Sequence, residues 1–116
     1  MKTTIKQIIE SNEALNTLIT SKQPVKVAWR IARILRLLEP ELKAYEEARM
    51  KVITQYAEVE GDRYTVPVEN GAAFNDAMQA LISEEISLAA EPIAINSLDG
   101  NISAQDIATL EWVLVE

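Results

Sequence analysis

The 116-residue sequence predicts a compact, mainly helical single domain (residues 1–116) of about four helices, with a small β-hairpin or a two-to-three-stranded element. Three observations carry this reading. Apolar residues make up 48% of the chain, close to the roughly 45–50% of ordinary globular domains. They recur at helical spacing over four separate stretches. Residues favouring strands occur only in short runs stopped by proline or glycine. There is no internal repeat, linker or low-complexity run.

The first helix is expected from about 4 to 20. Thr4-Ile5-Lys6-Gln7 fits a capping box, in which a hydroxyl and a glutamine three residues on satisfy each other's backbone N–H groups. Ile5, Ile8, Ile9, Leu15, Leu18 and Ile19 follow at helical intervals. Ser21-Lys22-Gln23-Pro24 ends the helix, and Pro24 suits the first turn of the next. The second helix is expected from near 24 to about 57, continued beyond Pro40 by Leu42, Tyr45, Ala48, Val52 and Tyr56. A mid-helix proline removes a hydrogen bond and crowds the preceding turn, so a kink or a break is expected at Pro40.

Glu60-Gly61-Asp62 reads as a turn, and Arg63-Tyr64-Thr65-Val66 as a brief strand stopped by Pro67. Phe74, Ala77, Met78, Leu81 and Ile82 mark a third helix, roughly 70–85. Ile86, Leu88 and Ala90 alternate, as do Ile93 and Ile95 beyond Pro92, which predicts one or two short strands at an edge or bulge. Ser103-Ala104-Gln105-Asp106 caps a fourth helix, expected to turn Ile107, Leu110, Val113 and Leu114 inward.

Composition excludes more chemistry than it suggests. Cysteine and histidine are both absent, which removes thiolate nucleophiles, disulfides, the usual general base and the usual transition-metal ligands. Ser83, Ser87 and Thr109 have no histidine to activate them. Glu46-Glu47 and Glu84-Glu85 are adjacent in sequence, so on a helix they point about 100° apart and do not share a site. No enzymatic activity, cofactor or metal is expected. Asp99-Gly100-Asn101-Ile102-Ser103-Ala104-Gln105-Asp106 looks like the second half of a calcium loop. Its leading position would be Ile95, which offers no side-chain oxygen, and calcium needs six to eight oxygens. An Asp-Gly turn before a capped helix explains the same residues.

The net charge of −7 is unevenly distributed. Residues 1–56 hold ten Lys and Arg against six acids, a net +4. Residues 57–116 hold Arg63 against twelve acids, a net −11. The acidic half would repel nucleic acid and anionic membranes. No stretch reaches the roughly 18–20 apolar residues of a membrane span, and the N-terminus has no uninterrupted apolar run of the signal-peptide kind. Neither a nucleic-acid nor a membrane partner is expected.

Residues 25–38 are the most informative segment. Ten are apolar, and the other four, Lys26, Arg30, Arg33 and Arg36, are all basic. At about 100° per residue, Lys26, Arg30 and Arg33 fall within about 60° of one another, with Arg36 at the edge of that stripe. The remaining circumference is apolar, wider than the stripe a surface helix usually buries. Either this is the central helix of the fold, or part of its apolar face, with Trp29 as the candidate interface residue, meets a second copy or a partner. The basic stripe has two readings also. It pairs with the acidic half or with Glu10 and Glu13, or it forms an anion or partner site, for which arginine is well suited. No glycine-rich phosphate loop accompanies it. A DNA-reading role for 24–39 conflicts with its apolar excess.

Several segments together resemble a family. They are Pro24-Val25-Lys26-Val27, Leu38-Glu39-Pro40-Glu41-Leu42-Lys43-Ala44-Tyr45-Glu46-Glu47-Ala48-Arg49, Tyr64-Thr65-Val66-Pro67, Glu91-Pro92-Ile93-Ala94-Ile95 and Ser103-Ala104-Gln105-Asp106-Ile107. In this order and spacing, over about residues 4–114, the chain resembles a family of small uncharacterised proteins of tailed bacteriophages and prophages. The resemblance implies a phage protein acting in the bacterial cytoplasm or in a virion, and it assigns no catalytic residues. The expected function is a non-enzymatic accessory protein working by protein–protein binding, as a homo-oligomeric assembly or adaptor protein. The alternative is an anti-defence protein that blocks a host immune protein or sequesters an anionic nucleotide on the basic stripe.

Overall fold

A computed structural model describes all residues, 1–116. Its elements in chain order are β1 (Lys2–Thr4), α1 (Ile5–Glu10), α2 (Asn12–Thr20), α3 (Val25–Tyr56), β2 (Glu58–Glu60), β3 (Arg63–Thr65), α4 (Gly71–Ile82), β4 (Glu85–Ser87), β5 (Ile93–Ala94), α5 (Ala104–Thr109) and β6 (Leu114–Val115), with 3₁₀ turns at Val68–Asn70 and Ile95–Ser97. The fold is mostly helical, as its apolar spacing predicts, but with five helices rather than four.

The first helix divides at Ser11. The capping box forms: the Gln7 backbone N–H donates to Thr4 Oγ1 at 3.2 Å, and the Thr4 N–H to Gln7 Oε1 at 3.1 Å. One turn later the fully buried Ser11 hydroxyl donates to the Gln7 carbonyl at 2.7 Å. A serine that bonds back onto the preceding turn competes with the helical ladder, and α2 restarts from Asn12. Ser11 Oγ also accepts from Trp112 Nε1 at 3.0 Å. The break is thus where the C-terminal segment fastens to the first helices.

Pro40 does not divide α3, which runs as one helix of 32 residues. Proline carries no N–H, so the Arg36 carbonyl goes without its helical donor, and exposure of both residues leaves that carbonyl to water.

The β structure is three separate two-stranded pairs rather than one small element. β1 pairs antiparallel with β4, setting Thr3 opposite Ile86. β2 and β3 form an antiparallel hairpin, and β5 and β6 pair in parallel with Ile93 opposite Leu114. The sequence reading extends the last helix to Leu114, but α5 ends at Thr109. Val113 and Leu114 then close turns onto Leu110, and the Ile93 N–H donates to the Val113 carbonyl at 2.7 Å. The apolar residues after Leu110 are buried as a strand and its approach, not as a helix face.

Every buried residue lies in 1–38 or 86–116, and none in 39–85. The first two segments form a head with a continuous apolar core, centred on Ile34, Leu38, Ile93, Leu110 and Val113. Residues 39–85 form an arm, in which α4 packs along the second half of α3. Asn70 Nδ2 donates to the Tyr56 carbonyl at 3.0 Å, binding the end of α3 to the start of α4. The molecule measures 51 × 26 × 23 Å. No helix is long and apolar enough to cross a membrane.

Candidate functional site: a tryptophan–arginine groove

α3 buries only a narrow stripe in the head: Val27, Ile31, Ile34 and Leu38, spaced four, three and four residues apart. The wide apolar face of 25–38 is therefore not all core. Val25 is 85% exposed and Trp29 60% exposed. At about 100° per residue Trp29 projects from nearly the opposite side of the helix to the buried stripe.

Trp29, Arg30 and Arg33 form one wall of a surface groove of about 540 Å³, and the segment Leu88–Glu91 forms the other. The second wall is fixed by the head's own hydrogen bonds. The Leu88 N–H donates to the Met1 carbonyl at 2.8 Å, and the Met1 amino group donates to the Leu88 and Ala90 carbonyls at 3.1 and 3.3 Å. The Arg33 guanidinium carbon lies 5.7 Å from the centre of the Trp29 ring, a cation–π arrangement one helical turn apart. It holds a large flat apolar surface and a positive charge side by side in water.

The basic stripe is split. Arg30 and Arg33 meet at the groove with Trp29. Arg36 lines a different depression of about 360 Å³ between α2 and α3, beside Leu35 and Glu39. Lys26 lies in the first turn of α3 and is exposed. The ion pairing expected of these four side chains does not form. The structure's one ion pair joins Arg49 to Glu46 at 3.4 Å. The acids Glu10 and Glu13 stay in solvent on α1 and α2, as do most of the twelve acids of the second half.

α3 opens without favourable charge. It has no acid in its first turn and no side-chain cap at Pro24, and Lys26 sits against the positive end of the helix dipole, an arrangement that costs a few tenths of a kcal/mol.

The second half of the calcium-like segment is structural. Ser103 Oγ accepts from the Asp106 N–H at 3.0 Å as the cap of α5. Gln23 bonds both the N–H and the carbonyl of Asp99, at 2.8 and 2.9 Å. Gly100 takes a φ of +92°, which glycine adopts without strain.

The groove's second wall could not be anticipated. Leu88, Ala89, Ala90 and Glu91 carry no charged or aromatic pattern beyond strand alternation, and only the β1–β4 pairing brings them to α3. Comparison with known proteins gives no match, whether to a family model, a curated protein or a solved structure.

Proposed function

We propose that this chain is a non-enzymatic protein that works by protein–protein contact, as a homo-oligomeric assembly or adaptor protein of a tailed phage. The observation that supports it best is the groove: a tryptophan 60% exposed, stacked with Arg33 and set beside Arg30, with neither arginine in an ion pair. Tryptophan and arginine are the residues most enriched where interfaces hold their binding energy. The absence of histidine and cysteine supports binding over catalysis. The phage setting rests on the resemblance over residues 4–114.

One observation favours a second reading. A groove of about 540 Å³ is within the size range of small-molecule sites. An indole face beside two guanidinium groups also suits a nucleotide's base and phosphates, as an anti-defence protein sequestering such a signal would need.

Native mass spectrometry of the protein purified gently from a bacterial host separates the two. An oligomer with no adduct supports self-association. A nucleotide-sized adduct lost in the Arg30→Glu/Arg33→Glu variant supports sequestration instead. A bare monomer at all accessible concentrations overturns the homo-oligomer.

A further inference from the structure

The β2–β3 hairpin is the most exposed part of the chain. All six strand residues are exposed. The register sets Val59 opposite Tyr64, so the two share one face of the hairpin, 66% and 53% exposed. The flanking acids Glu58, Glu60, Asp62 and Glu69 are exposed and unpaired, and Arg63 is the one base among them. Gly61 has a φ of +62°, and no other residue of the turn has a positive φ. This is the sign pattern of a II′ turn, whose twist suits a two-residue hairpin loop. The hairpin is therefore locally well formed, yet a two-stranded hairpin with no buried side chain is marginal in water.

The tip and the groove are opposites. The tip presents an aliphatic–aromatic pair on one face and Glu58 and Glu60, with one base, Arg63, on the other. The groove presents Trp29 and two alanines beside Arg30 and Arg33, with one acid, Glu91. They also lie at opposite ends of the same helix. Trp29 and Tyr56 are 27 residues apart, about 40 Å at a rise of 1.5 Å per residue, in a molecule 51 Å long. No chain can bring its own tip to its own groove without breaking α3.

We propose that the acidic Val59/Tyr64 hairpin of one copy seats in the basic Trp29 groove of a second copy. The contact is head-to-tail, joining the surface of one end to a different surface at the other. Such a contact either closes into a ring or continues as a filament. It deepens the homo-oligomer reading and rests on it. Strand alternation puts Glu58 and Glu60 on one face of the hairpin and Val59 and Tyr64 on the other. Between the groove's two walls the acids therefore face Arg30 and Arg33, while Val59 and Tyr64 face Ala89 and Ala90. Complementary charge of this kind fixes orientation and speeds encounter, and added salt weakens it.

The test uses two full-length variants, Arg30→Glu/Arg33→Glu and Glu58→Lys/Glu60→Lys. All four positions are exposed, and circular dichroism checks that both variants fold. Association is followed by light scattering after size exclusion over a range of concentration. Wild type is expected to form species larger than a dimer, and each variant alone to associate about 30-fold more weakly or worse. Mixed 1:1, the first variant's intact tip meets the second's intact groove, and the two reversed surfaces are again opposite in charge, so the mixture is expected to associate where neither variant does alone. An oligomeric wild type whose variants assemble equally well would overturn the head-to-tail contact while leaving self-association standing. Two monomeric variants that do not combine on mixing would also overturn it. A wild type monomeric at millimolar concentration would overturn both.

Discussion

The head and the arm are similarly apolar, 35 of 69 residues against 21 of 47, and bury those residues very differently. In the head, α1, α2, the first half of α3 and the C-terminal segment close around Ile34, Leu38, Leu110 and Val113. In the arm, Leu42, Tyr45, Phe74, Met78 and Leu81 fall on facing stripes of α3 and α4, but each stays half-buried. Two helices side by side cover one face of each other and leave flanks wet. The head reaches full burial because the β1–β4 and β5–β6 pairs and α5 bring residues 86–116 over the first 38. Helical periodicity is thus enough to place a residue on an inward face. Whether that face is sealed depends on how many layers arrive.

The largest expected effects lie in the head. Leu110→Ala or Leu38→Ala removes a side chain with almost no solvent exposure and should lower stability by about 2–5 kcal/mol, read from urea unfolding. Leu81→Ala in the arm, with part of its surface already wet, should lower it by about 1 kcal/mol. Equal losses at the two sites would mean that the arm is as well sealed as the head.

Ser11→Ala comes next. It leaves the buried Trp112 Nε1 without its acceptor and should cost about 1–3 kcal/mol. The same substitution releases the helix ladder from a competing hydroxyl, so helical content should not fall with stability. Asn70→Ala removes the donor that closes the arm onto Tyr56 and should cost about 1 kcal/mol. Its effect should appear as faster amide exchange in 57–70, with the head unchanged.

Trp29→Ala sharpens the contrast from the other side. A head residue of that size would be expected to matter greatly, yet Trp29 is mostly in solvent. The change should alter monomer stability by no more than about 0.5 kcal/mol, while weakening association strongly. A large loss of stability would return Trp29 to the core.

The long-helix pattern, the capping box, the Gly61 turn and the cap at Ser103 were legible in the sequence because each is decided by residues within a few positions of one another. The Ser11 break was not, since its cause includes Trp112, 101 residues away. The end of α5 was misread for a related reason. Ile107, Leu110, Val113 and Leu114 fit a helical face, but Leu114 is claimed by pairing with Ile93. The candidate site was half legible. Trp29, Arg30 and Arg33 stand out as an apolar and basic cluster, and their company could not be foreseen. The acids expected to neutralise them sit elsewhere, and Leu88–Glu91 reaches them only through the β1–β4 pairing.

The most direct test of head-to-tail association is hydrogen–deuterium exchange of the wild-type protein at low and high concentration. Protection should rise with concentration in two segments together, 58–65 at the tip and 86–91 at the groove, and in neither for Arg30→Glu/Arg33→Glu. Protection that is independent of concentration in both segments, or that rises along α2 instead, would contradict it.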